Sequence, residues 1–277
     1  MTSRPVDLPD FRQPPLSEVV LSLQFDPLDR LKTPLIGVLW NRFRERLPGI
    51  EEHAPLPQVV EHFDGPVPVK VDVVIEEKPP APRVWFLAPE KTELIQVQQD
   101  RFIHNWRKVT GQEPYPRYEI IRKKFREEVA EFVSFLHEEK IAPININQCE
   151  VTYVNHITPS GIWHRHGELA AVLRQWSDLP SGGFLPQAED VAARFRYIIP
   201  DEAGKPVGRL HVVFQPAWRT TDNTPIFTMN LTARGKPLAG GVDGAFEFFD
   251  LGRRWIVKGF ADLTTPAMQE KIWERVS

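Results

Sequence analysis

The sequence predicts an α+β fold in which a largely antiparallel, curved sheet carries its helices on one face. Alternation of apolar and polar residues recurs in strand-length segments, amphipathic helical segments follow the strands in both halves, and most links are of hairpin type. The order β-α-β-β-β-α occurs twice, which predicts an internal duplication. We therefore expect a flexible arm over 1–13 and half-repeats over 14–145 and 146–277 that form one integral unit.

The elements of the first half follow from the spacing of its apolar residues. Residues 16–25 alternate, as in a strand with one buried face. Pro34 suits the first turn of a helix, and apolar residues then recur at helical spacing up to Pro48. The strongest helix is predicted over 118–140. Further strands are predicted over 69–75, 84–87 and 94–106, the last as one bent strand or two short ones.

The second half follows the same order. Residues 150–157 alternate as a strand, and 169–176 show a short helical face. Thr265 is a good N-cap before Pro266, so a short last helix is predicted to run toward Trp273. Between them, the pattern predicts strands over 191–199, 209–215 and 226–232, a loop over 181–183 and a long helix over 243–260.

Composition and charge exclude several classes of protein. The formal net charge of -3 provides no global positive field for nucleic acid or an acidic membrane. Cys149 is the single cysteine, so neither an intrachain disulfide nor a Cys-based zinc site can form, which fits a reducing compartment. The sequence contains no apolar run of membrane-spanning length, and 1–13 lacks the apolar core of a signal peptide. We therefore expect a cytoplasmic protein that has no membrane segment.

Short motifs are spread along nearly the whole chain. They are Pro14-Pro15-Leu16 with Glu18-Val19, the segment 96–102 with Asn105-Trp106, Tyr115-Pro116 with Tyr118 and Phe125, and the segments 150–155 and 250–273. Together they resemble a sporadically distributed, uncharacterised prokaryotic family. That resemblance implies one integral unit and names no activity. Arg253-Arg254 stand in the last long helix where a histidine would be sought.

A second resemblance concerns the fold alone. The doubled layout of strands and helices is similar to the saddle of the TATA-box-binding protein or to a paired helix-grip fold. A shared fold says little about function. Binding of nucleic acid on such a saddle is disfavoured by the net negative charge.

Polar residues alternate along the predicted strands in the absence of any catalytic motif. Arg101 and Asn105 could form a pair that recognises anions or amides, with Trp106 stacking on a ligand; alternatively, all three could be structural. The candidate binding residues are Gln96, Gln98, Arg101, Asn105, Trp106, Arg194, Arg196 and Asn230. We expect a non-catalytic binding protein that presents a polar, concave sheet face to a partner protein or a small anionic ligand. It needs no cofactor and could form a homodimer.

Two alternatives involve histidines. The chain could be a nuclease-like or hydrolytic component of a prokaryotic defence or toxin–antitoxin system, with His104 or His156 as general base and Arg101 for charge stabilisation. His164 and His166 could chelate a metal with His156, although ordinary exposed histidines in a loop are the more common case. Phosphate-binding loops and the HExxH motif do not occur in the sequence.

Overall fold

The computed structural model describes residues 7–63, 65, 81–177 and 183–277, and it confirms the α+β class. Its strands are β1 (Leu16–Phe25), β2 (Gly49–His53), β3 (Arg83–Leu87), β4 (Glu93–Gln98), β5 (Arg101–Arg107), β6 (Ile146–Ile157), β7 (Ala193–Pro200), β8 (Pro206–Trp218) and β9 (Pro225–Gly235). Its helices are α1 (Thr33–Trp40), α2 (Tyr118–Glu138) and α3 (Gly241–Leu263). Within the described ranges, these strands form one antiparallel, curved sheet in the order β2-β3-β4-β5-β1-β6-β9-β8-β7.

The centre of the sheet is the antiparallel pair β1–β6, in which Leu21 lies opposite Val151. On one side of this pair the order is β5-β4-β3, and on the other it is β9-β8-β7, with β2 added at the first edge. Strands from both halves therefore share one hydrogen-bonded sheet. The duplication itself stays a prediction.

The three helices pack on the same face of the sheet. On α2, the rings of Phe125 and Phe132 stack on Phe102 of β5, with centroids 6.0 and 4.6 Å apart. Phe249 of α3 lies 5.8 Å from Phe125, so the two long helices also touch each other. Phe43, just after α1, completes this core against β3 and β5. Burial of each such side chain contributes about 1.5–3 kcal/mol.

The spacing of apolar residues predicts which side chains are buried more accurately than it predicts the backbone conformation. The predicted helix at 169–176 is wrong: Leu169–Ala171 form a single 3₁₀ turn, although Leu169, Val172 and Leu173 are fully buried. Arg174 N donates to Leu263 O, so the backbone after this turn bonds to the end of α3. Similarly, the helix α1 ends at Trp40, and the chain after it forms turns up to Leu47.

Other boundaries differ in detail. The segment 94–106 consists of two strands joined by a turn at Gln99-Asp100. β2 is not among the strands that the sequence predicts. The last predicted helix is a π-helical turn, Met268–Ile272.

The predicted strand at 69–75 and most of the loop at 181–183 lie outside the described residues. In the parts of the chain that the structure describes, no helix is both long and apolar enough to cross a bilayer.

The described part of the predicted flexible arm is packed against the C-terminal residues. Arg12 N donates to Glu274 O at 3.2 Å, and Gln13 N donates to Trp273 O at 3.1 Å. Phe11 is buried with its ring 5.6 Å from Phe260. For residues 7–13 the prediction of a free arm is therefore wrong, because an apolar anchor and a short backbone ladder hold them.

Candidate binding face

Strand alternation separates the sheet into an inner face, packed on the helices, and a second face that we call the polar face. Every second residue of the central strands points to this polar face, away from α2 and α3. Its members include Gln24, Gln96, Gln98, Arg101, Asn105, Gln148, Glu150, Arg194, Arg196, Arg209, His211, Asn230 and Arg234.

An extended stretch of the chain's own backbone, residues 54–63, lies across the centre of the polar face. We call it the covering segment. Gln98 holds it by both amide atoms, because Leu56 N donates to Oε1 at 2.9 Å and Nε2 donates to Leu56 O at 3.0 Å. Gln24 holds Val59 in the same way, at 2.9 and 3.0 Å. Each glutamine thus pairs with the backbone N–H and C=O of one residue, as a neighbouring strand would.

The first-half candidates are therefore buried, which corrects the prediction that they form an open binding surface. Gln96, Gln98, Arg101 and Asn105 are each no more than 6% exposed. Gln96 Nε2 donates to Asn105 Oδ1 at 2.7 Å, and Asn105 Nδ2 donates to Glu18 Oε1 at 2.6 Å. These amides satisfy each other across three strands, as buried polar groups generally do.

Arg101 anchors the covering segment from below. Its Nη2 donates to Gln24 Oε1 at 2.7 Å and to the carbonyl oxygen of Pro57. Its Nε atom is buried and has no hydrogen-bond partner among the described residues. Desolvation lowers the pKa of the Arg101 guanidinium, but an arginine remains charged at any physiological pH.

The far end of the covering segment places a carboxylate in a basic cluster. Glu61 accepts from Arg209, from His211 at 2.5 Å and from Arg234 at 3.4 Å; we call these four residues the Glu61 cluster. Desolvation would raise the pKa of Glu61, but the hydrogen bond from His211 and the charges of His211, Arg234 and Arg209 outweigh it, so this pKa is lowered. The polar face therefore binds a carboxylate of its own chain.

Sequence reasoning missed the Glu61 cluster. Glu61 lies in a proline-rich stretch without periodicity, so nothing in the sequence marks it. The three cationic partners could have been found, since Arg209 and His211 alternate on one predicted strand and Arg234 follows the next.

The polar face continues past the Glu61 cluster onto β7 and the adjoining parts of β8 and β9. The outer patch, as we call it, consists of Arg194, Arg196, Val213, Thr228 and Asn230. Arg194 lies opposite Val213, which lies opposite Asn230, so the Cα atoms of Arg194 and Asn230 stand about 10 Å apart across three strands. Both arginines are exposed, and Asn230 Oδ1 is buried with no hydrogen-bond partner in the described chain.

Trp106 and His104 lie on the inner face. Trp106 packs against Tyr115 with ring centroids 5.4 Å apart, so it belongs to the core and cannot stack on a ligand of the polar face. His104 Nδ1 lies 2.8 Å from Glu128 Oε2, and Arg46 donates to the other carboxylate oxygen at 2.6 Å. Desolvation would raise the pKa of Glu128, but the charges and hydrogen bonds of His104 and Arg46 lower it.

The residues proposed for hydrolysis are not brought into one cleft. His104 points into the core, whereas Arg101, three residues earlier on the same strand, points to the polar face. His156 shares the polar face with Arg101. Arg101 lies opposite Gln24, and Gln24 lies opposite Gln148 of β6. His156 is eight residues farther along β6 than Gln148. That separation is about 26 Å. Neither of the two candidate histidines therefore stands beside Arg101.

The histidines considered for metal binding are also separate. His166 is buried, with Nε2 at 3.1 and 3.0 Å from the carbonyl oxygens of Ala217 and Ile226. His164 is largely exposed beside Glu168, with Nδ1 and Oε2 3.7 Å apart. His156 lies on β6, opposite Thr228. Across the described ranges, no group of three or more His, Cys, Asp or Glu side chains could hold a metal ion.

Comparisons with protein-family models, curated proteins and solved structures found no match to this chain. The resemblances to a prokaryotic family and to saddle-shaped folds therefore stay predictions, and the function has to be argued from geometry.

Proposed function

We propose that this is a non-catalytic interaction protein whose outer patch binds an extended, acidic segment of a partner protein. The observation that carries the proposal is the covering segment, which is itself an extended peptide held on the same face through its backbone and its one carboxylate, Glu61. Gln98 and Gln24 of the sheet bind backbone N–H and C=O groups of the covering segment, and the Glu61 cluster binds a carboxylate. A partner segment would use the same chemistry on the adjoining strands.

The chemistry of the outer patch favours a polypeptide over a small anion. Arg194 and Arg196 require acceptors, which carboxylates supply through paired, charge-assisted hydrogen bonds. Asn230 Oδ1 requires a donor, because a buried acceptor without a partner costs about 1–3 kcal/mol. An inorganic anion provides acceptors alone, whereas an acidic peptide provides carboxylates and backbone N–H groups together.

A cytoplasmic location is part of the proposal. Cys149 is buried and free, and its burial raises the pKa of the thiol, which keeps it unreactive. A structural free thiol fits a reducing compartment.

The proposal can be tested with a fluorescein-labelled peptide of alternating Glu and Thr, with a Lys–Thr peptide as its charge-reversed counterpart. Fluorescence anisotropy should show binding of the acidic peptide that weakens as salt rises. The double variant Arg194→Ala/Arg196→Ala should lose at least about tenfold in affinity, since hydrogen bonds to charged groups contribute about 1.5–3 kcal/mol each.

A matched control removes the same charge elsewhere. Arg44→Ala/Arg254→Ala changes two exposed arginines that lie outside the polar face and should leave the affinity unchanged. Equal losses in the two double variants, or no binding of the acidic peptide to the wild-type protein, would contradict the proposal. Competition by sulfate at matched ionic strength would point instead to a small anion as the ligand.

A further inference from the structure

A cavity on the helix side of the sheet, away from the polar face, combines an apolar wall with an unusual set of hydrogen-bond donors. It lies where residues 9–16, the start of α2, β6 and α3 meet, and it contains ≈ 580 Å³ of space, part of which is open to solvent. That figure includes the open mouth of the cavity; the volume to compare with known cavities is ≈ 70 Å³, which admits only a small ligand. The apolar wall includes Leu16, Leu231, Ile256 and Phe260.

The first donor in this cavity is Arg253 of α3. The residue is only 7% exposed, and its guanidinium stacks on the Tyr118 ring at 4.7 Å. Its Nη2 lies 3.0 Å from Glu119 Oε1, which compensates part of the charge. Its Nε atom is buried and has no hydrogen-bond partner in the described ranges. An arginine held in an apolar wall with an unused N–H is poised to donate a hydrogen bond to a ligand oxygen.

The second donors are two tyrosine hydroxyls. Tyr115 and Tyr153 both line the cavity, and their hydroxyl oxygens lie 3.2 Å apart. Burial raises the pKa of both phenols, so both keep their protons at neutral pH. When one hydroxyl donates to the other, the second retains a proton that can be donated to a ligand.

The N-terminus of α2 is a third feature that favours an anion in this cavity. Arg117, its N-cap residue, adopts a left-handed φ of 75° and, within the described structure, forms no side-chain cap. The first N–H groups of a helix have no intrahelical partner, and the helix dipole favours an anion there. Arg117 and Tyr118 both line the cavity. The acidic groups nearby are Glu119, beside Arg253, and Asp10, beside Arg117.

We propose that this cavity binds a small monocarboxylate with an aromatic or branched aliphatic body. Arg253 and the Tyr115–Tyr153 pair would hold the carboxylate, and the apolar wall would enclose the body. The Arg253 Nε–H and one tyrosine hydroxyl would each donate to one of the two oxygens of a carboxylate. A phosphate, with more oxygens and more charge, would leave acceptors unpaired against the apolar wall.

Benzoate is the probe for this site, and benzyl alcohol and acetate are its matched comparators. Benzyl alcohol keeps the ring without the charge, and acetate keeps the charge without the ring. Isothermal titration on the full chain should show saturable binding of benzoate and at least about tenfold weaker binding of both comparators. Nuclear Overhauser contacts should join the benzoate ring protons to Leu16 and Ile256 methyl groups.

Variants at Tyr153 and Arg253 test the two kinds of donor, and a variant at Tyr197 is the control. Tyr153→Phe removes one hydroxyl and should weaken benzoate binding by about two- to tenfold. Tyr197→Phe removes a hydroxyl outside the cavity and should leave binding unchanged. Arg253→Met should abolish binding; because it also removes an ion pair with Glu119, its folding is checked by circular dichroism.

Several outcomes would overturn the inference. They are the absence of benzoate binding to the wild-type protein at up to about 10 mM, equal binding of benzoate and benzyl alcohol, and equal effects of Tyr153→Phe and Tyr197→Phe. Loss of benzoate binding in Arg194→Ala/Arg196→Ala would also overturn it, because the anion would then occupy the outer patch. The proposed interaction function does not depend on any of these results.

Discussion

Glutamine and arginine side chains of the polar face serve the chain's own backbone before they serve any partner. Gln24 and Gln98 each pair with the backbone N–H and C=O of one residue of the covering segment, and Arg101 adds a bond to the Pro57 carbonyl. The alternation of these residues in the sequence correctly placed them on one face. Their residue types could not reveal that a loop distant in sequence covers them, because glutamine binds solvent, ligand or backbone equally well.

The Glu61 carboxylate predicts a specific dependence of stability on pH. Its pKa in the folded protein lies below the ordinary value of 4.5, so its contribution is fully present above about pH 5 and is lost as pH falls toward the depressed pKa. Glu61→Gln should therefore lower the free energy of unfolding by about 1–3 kcal/mol at pH 7 and by progressively less toward pH 3.

Urea unfolding of both proteins between pH 7 and pH 3 measures this difference. Glu202→Gln removes an exposed carboxylate from the β7–β8 turn and provides the matched control. A Glu61→Gln protein as stable as the control at pH 7, or a deficit that grows on acidification, would show that the cluster does not stabilise the fold.

Contacts between helices and strands depend on a few positions where only glycine, which has no Cβ, fits. At Gly208 of β8, an added Cβ would lie 2.8 Å from the Phe248 ring and 2.9 Å from Arg234 O. α3 therefore approaches β8 and β9 more closely than an alanine would allow. The sequence predicted α3 and both strands from their periodicity, but periodicity does not specify the distance between elements.

We predict opposite effects for two Gly→Ala substitutions. Gly208→Ala should destabilise the protein by about 1–3 kcal/mol, because Phe248 or the strand has to move. Gly37→Ala should be neutral or stabilise by about 0.5–1 kcal/mol, since Gly37 is exposed within α1 and an added Cβ meets nothing within 4 Å. Thermal and chemical unfolding compare the two proteins directly. Similar effects would mean that α3 can shift away from β8 at no cost.

At the scale of the whole molecule, the two halves are joined by β1–β6 and by the contact between α2 and α3. Leu21 pairs with Val151 across the central ladder, and Phe125 lies 5.8 Å from Phe249 behind it. The covering segment adds a third connection, because it starts on first-half strands and ends in the Glu61 cluster of the second half. Three independent links of this kind favour a single cooperative unit.

We therefore expect both halves to unfold in one transition. Hydrogen exchange in a urea series should show peptides from β3–β5 and β8–β9 losing protection at the same urea concentration. Phe86→Ala, a cavity-forming change of about 3–5 kcal/mol in the first half, should lower both midpoints together. A shift confined to first-half peptides would show that the halves are separate folding units.

Residue spacing alone predicts the local structure of this protein: the fold class, the strand β1, the strong helix α2, and which residues of each element are apolar and buried. These follow from periodicity, which is a local property of the chain. Tertiary structure decided what lies on the polar face, because the covering segment has no periodic pattern and its glutamate meets cations that are distant along the chain. It also decided that Trp106 is core and that Arg253 lines a cavity. Contacts between distant segments depend on packing in three dimensions, which residue spacing does not encode.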